Sequence, residues 1–397
     1  MESRFEKVHS REGSWSRKWD GRKAQFGTQD ILPLWVADMD FEAPEIVKEA
    51  LMERINHGIF GYVHTDESVL EAICSWFERR HGWSFKKEDI VFTPALLPGI
   101  SMTLEAFSKP GDGVVIQPPV YPPFAASPIG LKRKLLENCL KETQPGHYEM
   151  DLDDLEDIFK KEQPSWLILC NPHNPVGRIW TEEELLNLAK LCARYNVGVI
   201  SDEIHGDLAL GDRKYIPFAK LASPLGVRVL TGAAASKTFN IPGLTTAFWI
   251  VPDEKLRLGL VDRLQAYKVT ETNLLGLVAT KACYTHGEAW LDELKQYLFY
   301  NAYYVNEMLN YHAPGISANF PEATYLSWVD CRQLGLTDQK LQQFFVQEAK
   351  VGLNSGISFG NAGSGFMRLN FGCPRSTLRD GLERIVTAAR DLRGWRS

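Results

Sequence analysis

Between residues 66 and 283 two kinds of pattern alternate along the chain. Stretches in which apolar residues return every three or four positions, such as VLEAICSWFERR, predict helices with one buried face. Short, nearly unbroken apolar runs (DIVFTP, GVVIQPP, SWLILCNP, VGVISDE, VRVLTGAA and TTAFWIVP) predict strands buried on both sides. Thr181 followed by Glu184, ahead of LLNLAKLCARY, has the spacing of a capping box, in which hydroxyl and carboxylate satisfy backbone N–H groups at a helix start. The rhythm predicts an α/β domain on a mostly parallel sheet. Beyond residue 288 it changes to a long helical stretch, WLDELKQYLFYNAYYVNEMLNYH, strand-like TYLSWVD, helical LQQFFVQEAK, strand-like GFMRLNFG and a terminal helix. The expected division is an N-terminal arm (1–45) belonging to a small domain, a large α/β domain (46–287) and a small α+β domain (288–397). No Gly/Ser-rich linker, repeat or low-complexity tract separates them. The two domains should therefore share an interface, a common place for small-molecule sites.

Composition narrows the partners. A chain of 397 residues, 44% hydrophobic, has enough apolar surface for a large core. Its net charge of −6 comes from acids and bases mixed throughout, with no basic block to neutralise phosphates, so nucleic acid is not expected as a partner. The stretch MESRFEKVHSREGSWSRKWDG lacks the apolar centre of a leader, and no run approaches the roughly 18 to 20 apolar residues that span a bilayer. The expected location is the cytoplasm, away from membranes. Seven cysteines stand singly with no CxxC spacing, which fits reduced thiols and supports neither a disulfide framework nor a zinc or other metal site.

Three stretches carry candidate chemistry. In TGAAASKTFNIPG a strand-like run ends in small residues and delivers Ser236 and Lys237 into a loop; partial burial there would leave a neutral amine for Schiff-base chemistry. Taken alone, a surface lysine past a strand fits as well. In VGVISDEIHGD an apolar run ends at Asp202, where open α/β sheets bind ligands at strand C-termini, although a helix cap would use the same residue. The DExH-like letters lack the Gly-rich loop of a helicase. In LILCNPHNPVGR, Asn171 and Asn174 lie between prolines, either as turn residues or as amides presented rigidly to a ligand.

The order NPxNPxG, then DE, then SK, each closing an apolar run, resembles the fold-type I, class I/II aminotransferase superfamily of pyridoxal 5′-phosphate (PLP) enzymes, over nearly the whole chain. The resemblance implies that Lys237 is the catalytic Schiff-base lysine, Asp202 the partner of the pyridine nitrogen, and Asn174 the ligand of the cofactor's phenolic oxygen and part of the substrate site. It implies that Tyr121 in QPPVYPPF stacks on the ring, and that Tyr62 in HGIFGY reaches the cofactor phosphate of a neighbouring subunit, making the active unit a homodimer with a shared site. Arg368 in GFMRLN resembles the arginine that holds the substrate α-carboxylate, a task suited to a planar fork, and Ala37 in LWVADMDF falls where the arm closes over it. Without the resemblance, Tyr121 is as well read as a core tyrosine and Arg368 as an edge-strand charge.

Departures from the wider superfamily sharpen the assignment. The phosphate-binding turn is TPALLPGISM, where Ala95, Leu96 and Leu97 offer backbone donors at a helix start without the usual glycine. Ala234 and Thr245 stand where a hydroxyl three residues before the lysine and an arginine eight after it are customary, which leaves more of the phosphate to Ser236, Tyr62 and the helix. His205 stands where a tyrosine often follows the aspartate by three. Together with WVADMDF, HGIFGY, CNPHNPVGR, SDEIHGD, SKTFNIPG and GFMRLNFGC, these features resemble the MalY/PatB family of cystathionine β-lyases and cysteine-S-conjugate lyases. That resemblance implies cleavage of a sulfur amino acid to a thiol, pyruvate and ammonia. An aminotransferase, or a β-lyase with a second, regulatory protein-binding role, are the alternatives. The sequence shows no obvious second arginine for a distal carboxylate, which argues against aspartate or glutamate as substrates.

Overall fold

The computed structural model describes residues 3–392 and 394. Its larger sheet holds β1 (Ile90–Thr93), β2 (Gly113–Ile116), β3 (Lys134–Glu137), β4 (Trp166–Cys170), β5 (Gly198–Asp202), β6 (Val229–Ala233) and β7 (Ala247–Ile250). The spatial order is β1-β7-β6-β5-β4-β2-β3. Pairs from β6 through to β3 are parallel, whereas β7 runs against both its neighbours. β4 shows why such runs look continuously apolar: Leu167 and Leu169 enter one core cluster, while Trp166, Ile168 and Cys170 enter a second on the opposite face.

The helices that frame the site are α1 (Glu45–His57), α2 (Glu67–His81), α3 (Leu96–Phe107), α4 (Glu182–Tyr195), α5 (Leu274–His286), α6 (Glu288–His312) and α7 (Arg375–Leu392). At the start of α4, Thr181 Oγ1 accepts from the Glu184 N–H at 3.2 Å and Glu184 Oε2 accepts from the Thr181 N–H at 2.7 Å, completing the expected capping box. α6, 25 residues long, spans about 37 Å at 1.5 Å per residue and packs against α7.

A second, antiparallel sheet has the order β8-β9-β11-β10, formed by β8 (Ser317–Ala318), β9 (Leu326–Asp330), β10 (Asn354–Ser355) and β11 (Phe366–Asn370). The N-terminal segment attaches to this unit: Leu32–Pro33 pairs in parallel with Val351–Gly352, and the Asp40 N–H donates to the Gly372 carbonyl at 2.8 Å. One core cluster runs from the large sheet into the small one. The expected helix over 341–350 is α-helical only to Gln343 and continues as a π turn, Phe344–Glu348, around buried Phe344 and Phe345. β3 has no counterpart in the sequence reading, because a four-residue edge strand with two exposed charged ends carries little apolar signal. All seven cysteines are unpaired thiols, and among the described residues no helix is long and apolar enough to cross a membrane.

Candidate active site

The parallel strands deliver their C-terminal residues to one edge of the sheet, and β7, running the other way, brings its N-terminal residues there. Between them lies a cavity of about 200 Å³. Its wall takes Ala95, Leu96 and Leu97 from the turn after β1, Tyr121 after β2, Asn174 after β4, Asp202 and His205 after β5, and Ser236 and Lys237 after β6. Thr245, Thr246 and Ala247 come from the start of β7, and Ala37 from the arm. Nine separate sequence expectations therefore share one wall with Ala37. Thr246 has no place in the sequence reading, since only the antiparallel course of β7 brings it to this edge.

Lys237 Nζ donates to the Ala37 carbonyl at 2.6 Å. Desolvation lowers its pKa to about 8, with the Arg368 charge acting the same way and Asp38 and Asp202 opposing. The next residue, Thr238, donates to Asp207 at 2.9 Å, and Asp207 also accepts from Trp76 and pairs with His81. Burial alone would raise the Asp207 carboxyl, but these hydrogen bonds outweigh it and hold the pKa below the ordinary value. Lys237 thus rises from a turn whose neighbour is anchored in a charged, buried network.

Asp202 is buried and accepts the Ile204 N–H at 3.1 Å; desolvation raises its pKa to about 6. Glu203 points away from the cavity, bonded to Ser201, Tyr215 and the Phe218 N–H. His205 is buried, with its ring edge-on to Tyr325 at 6.0 Å and Nδ1 without a partner among the described residues. Desolvation lowers its pKa to about 3, so it is neutral at ordinary pH.

The arm is stapled over this edge from both sides. Asn370 Nδ2 donates to the Val36 and Asp38 carbonyls, and Asn240 exchanges hydrogen bonds with Met39 and donates to the Phe41 carbonyl. The arm consequently presents the Ala37 carbonyl, which accepts from both Lys237 and the Tyr325 hydroxyl.

Arg368, on β11, is buried behind Asn174 and lies outside the residues lining the cavity. Its guanidinium donates to Asn174 Oδ1 at 3.1 Å, the Trp35 carbonyl at 3.0 Å and Asn354 Oδ1 at 2.8 Å, and Nε has no partner among the described residues. Every acceptor is neutral, so this buried positive charge has no counter-ion among the described residues. Tyr62 is likewise outside the cavity, on the surface and 95% exposed.

The helix start completes the geometry. Ala95 is extended and no side chain caps α3, so the first backbone N–H groups of the helix border the cavity unblocked. The model of aminotransferase class I and II matches residues 29–385. The chain belongs to the class I and II aminotransferase family. It is 44% identical to Cystathionine beta-lyase PatB of Bacillus subtilis (strain 168), over 97% of this chain and 99% of that one. It is 36% identical to Protein MalY of Escherichia coli (strain K12), over 98% and 99% of the two chains. The crystal structure of cystalysin from Treponema denticola, which contains a pyridoxal 5′-phosphate cofactor, superposes with a TM-score of 0.94 at 32% identity, covering 98% and 99%. Membership of the class I and II family accounts for the large parallel sheet with one reversed strand and for the motif order. The lysine, aspartate and asparagine stretches were legible because each ends an apolar strand.

Proposed function

We propose that this protein is a PLP-dependent carbon–sulfur β-lyase, cleaving L-cystathionine or a related cysteine S-conjugate to a thiol, pyruvate and ammonia. The observation carrying this reading is the set Lys237, Asp202, Asn174, Tyr121 and an uncapped helix start around one cavity, in a chain 44% identical to a cystathionine beta-lyase.

The cavity suits each part of the cofactor. An aldehyde meets the amine of Lys237, which is neutral for a large part of its population near pH 8. A ring nitrogen meets buried Asp202, whose raised pKa marks a carboxylate short of positive partners. A phosphate meets the free N–H groups at Ala95, Leu96 and Leu97 and the hydroxyls of Ser236, Thr245 and Thr246. Asn174 would serve the phenolic oxygen and Tyr121 the ring, with His205 a neutral neighbour in the same wall.

Bound PLP supplies an electron sink for a carbanion at the substrate's Cα. Lys237 holds the cofactor and takes the Cα proton onto Nζ. Asp202 stabilises a protonated ring nitrogen. Arg368 exchanges neutral acceptors for the substrate α-carboxylate, which compensates a buried charge otherwise left without a counter-ion. Overall the Cβ–S bond breaks, the sulfur leaves as a thiol after gaining a proton, and one water is consumed in releasing pyruvate and ammonium, so no outside oxidant or keto acid is needed.

In this reading the chain works as a homodimer. Ile59, Phe60 and Tyr62 are 66%, 60% and 95% exposed just past α1, and Tyr62 reaches the cofactor phosphate of the neighbouring subunit. The chain divides into the arm, 1–45, the large unit, 46–287, and the small unit, 288–397.

The test adds L-cystathionine to the purified holoenzyme without a keto acid. Equal amounts of thiol and pyruvate, lost in Lys237→Ala together with the borohydride-sensitive visible absorption of the cofactor, are expected. Product that appears only when a keto acid is supplied would make the protein an aminotransferase instead.

A further inference from the structure

The arm carries a second arginine at the mouth of the site. Its other cations near the cavity are paired: Arg11 with Asp38 and Asp40 at 2.8 and 2.7 Å, buried Lys18 with Asp40 at 2.6 Å, and Arg22 with Glu12 at 2.5 Å. Arg17 makes no salt bridge or side-chain hydrogen bond among the described residues. Its guanidinium carbon lies 5.9 Å from the centroid of the Trp35 ring. Trp35 is a fixed platform, with Nε1 donating to the Lys18 carbonyl at 3.0 Å and the ring edge-on to Phe26 at 5.4 Å.

Trp35 links the two arginines. Its carbonyl takes the Arg368 hydrogen bond, its indole carries Arg17, and two residues later Ala37 meets Lys237. Arg17 also lines an open depression of about 470 Å³ with Asp38, Met39 and Asn240, and Pro242 borders both this depression and the Lys237 cavity. The depression therefore adjoins the Lys237 cavity at Pro242. Burial pushes the Tyr121 phenol up, and the charges of Arg368 and Arg17 both act against that rise. Three acids line the depression, and each is already engaged: Asp38 and Asp40 by Arg11, and Glu42 by Lys48.

We propose that Arg17 is a specificity-determining residue that receives a distal carboxylate, so that the preferred substrates are S-substituted L-cysteines bearing a second carboxylate beyond the sulfur. This inference rests on the β-lyase reading for its substrate class. A guanidinium stacked on an indole keeps its fork edge free for two parallel hydrogen bonds to a carboxylate, which a lysine could not make in the same way. An S-alkyl cysteine of equal length would leave Arg17 in water and gain nothing from it.

The test measures binding to the holoenzyme by cofactor absorbance, using two amino acids without sulfur: L-2-aminoadipate, with a distal carboxylate, and L-norleucine, without one. Wild type should favour the dicarboxylate by roughly tenfold, the scale of one charge-assisted contact, and the preference should shrink at high salt because Arg17 is exposed. Arg17→Gln should bring the ratio close to one, and Arg17→Lys should leave an intermediate value. A ratio near one in wild type, or an unchanged ratio in Arg17→Gln, overturns the assignment. In parallel, S-(2-carboxyethyl)-L-cysteine and S-propyl-L-cysteine are assayed for thiol release, where kcat/KM should show the same discrimination. If the binding ratio behaves as expected while neither thioether is cleaved, the lyase reading fails and Arg17 stands.

Discussion

At the scale of the residue, the site works by withholding partners from buried charges. Lys237 is desolvated, Asp202 receives a single backbone hydrogen bond, and Arg368 meets only neutral oxygens. Each is an incomplete arrangement that a cofactor or substrate can complete, in contrast to Asp207, whose three side-chain partners leave it nothing to bind. The pKa of about 8 at Lys237 has a measurable consequence. Attack on the PLP aldehyde requires the neutral amine, so the rate of covalent loading of the apoprotein should rise with pH through a midpoint near 8, followed by the growth of visible absorbance. A rate still climbing steadily at pH 10 would mean that burial does not tune this lysine. The same depressed value means that the unfolded chain binds more protons between pH 8 and 10.5, so the Lys237 contribution to folding stability increases across that window.

At the scale of the element, α3 must lie very close to the sheet for its free N–H groups to border the cavity. Two glycines permit this. A Cβ on Gly99, in the first turns of α3, would lie 2.0 Å from Trp249 Nε1, and one on Gly232 of β6 would lie 2.8 Å from Leu96 and 2.9 Å from Trp249. Buried Trp249 cannot yield like a surface chain. Gly99→Ala should therefore displace the helix start and weaken PLP affinity by at least about tenfold, beside the roughly 1 to 3 kcal/mol that overpacking costs. Cofactor titration of the apoprotein would check it, and an unchanged affinity would show that the α3 donors do not hold the phosphate.

At the scale of the whole molecule, the densest run of exposed apolar residues along the chain lies between residues 52 and 62. Met52 and Ile55 on α1 are followed by Ile59, Phe60 and Tyr62, all exposed, the kind of apolar surface that a partner subunit can cover. If the proposed homodimer forms through this stretch, Phe60→Glu should give a monomer in sedimentation equilibrium and lower cofactor occupancy with it, because the proposed reach of Tyr62 to a neighbouring phosphate is then lost. A variant that stays dimeric with full cofactor would remove this patch from the interface.

The amount of this legible in the residue order follows from where each signal lives. A strand buried on both faces must be apolar along its length, so its polar end stands out; this marked the stretches that hold Asn174, Asp202 and Lys237, and the family resemblance then implied a role for each. The local spacing of Thr181 and Glu184 likewise determined a capping box, since both bonds close within four residues. β3 was hidden because edge strands need little apolar character, and Thr246 because nothing local tells that β7 runs backwards. The placement of Arg368 behind Asn174, and of Arg17 on Trp35, depends on contacts across 194 residues in one case and on the folding back of the arm in the other. Sequence by itself determined which groups the strands deliver to one edge. Only the tertiary structure decided which charges there are left without partners, because pairing is a property of distances between segments that the chain order does not contain.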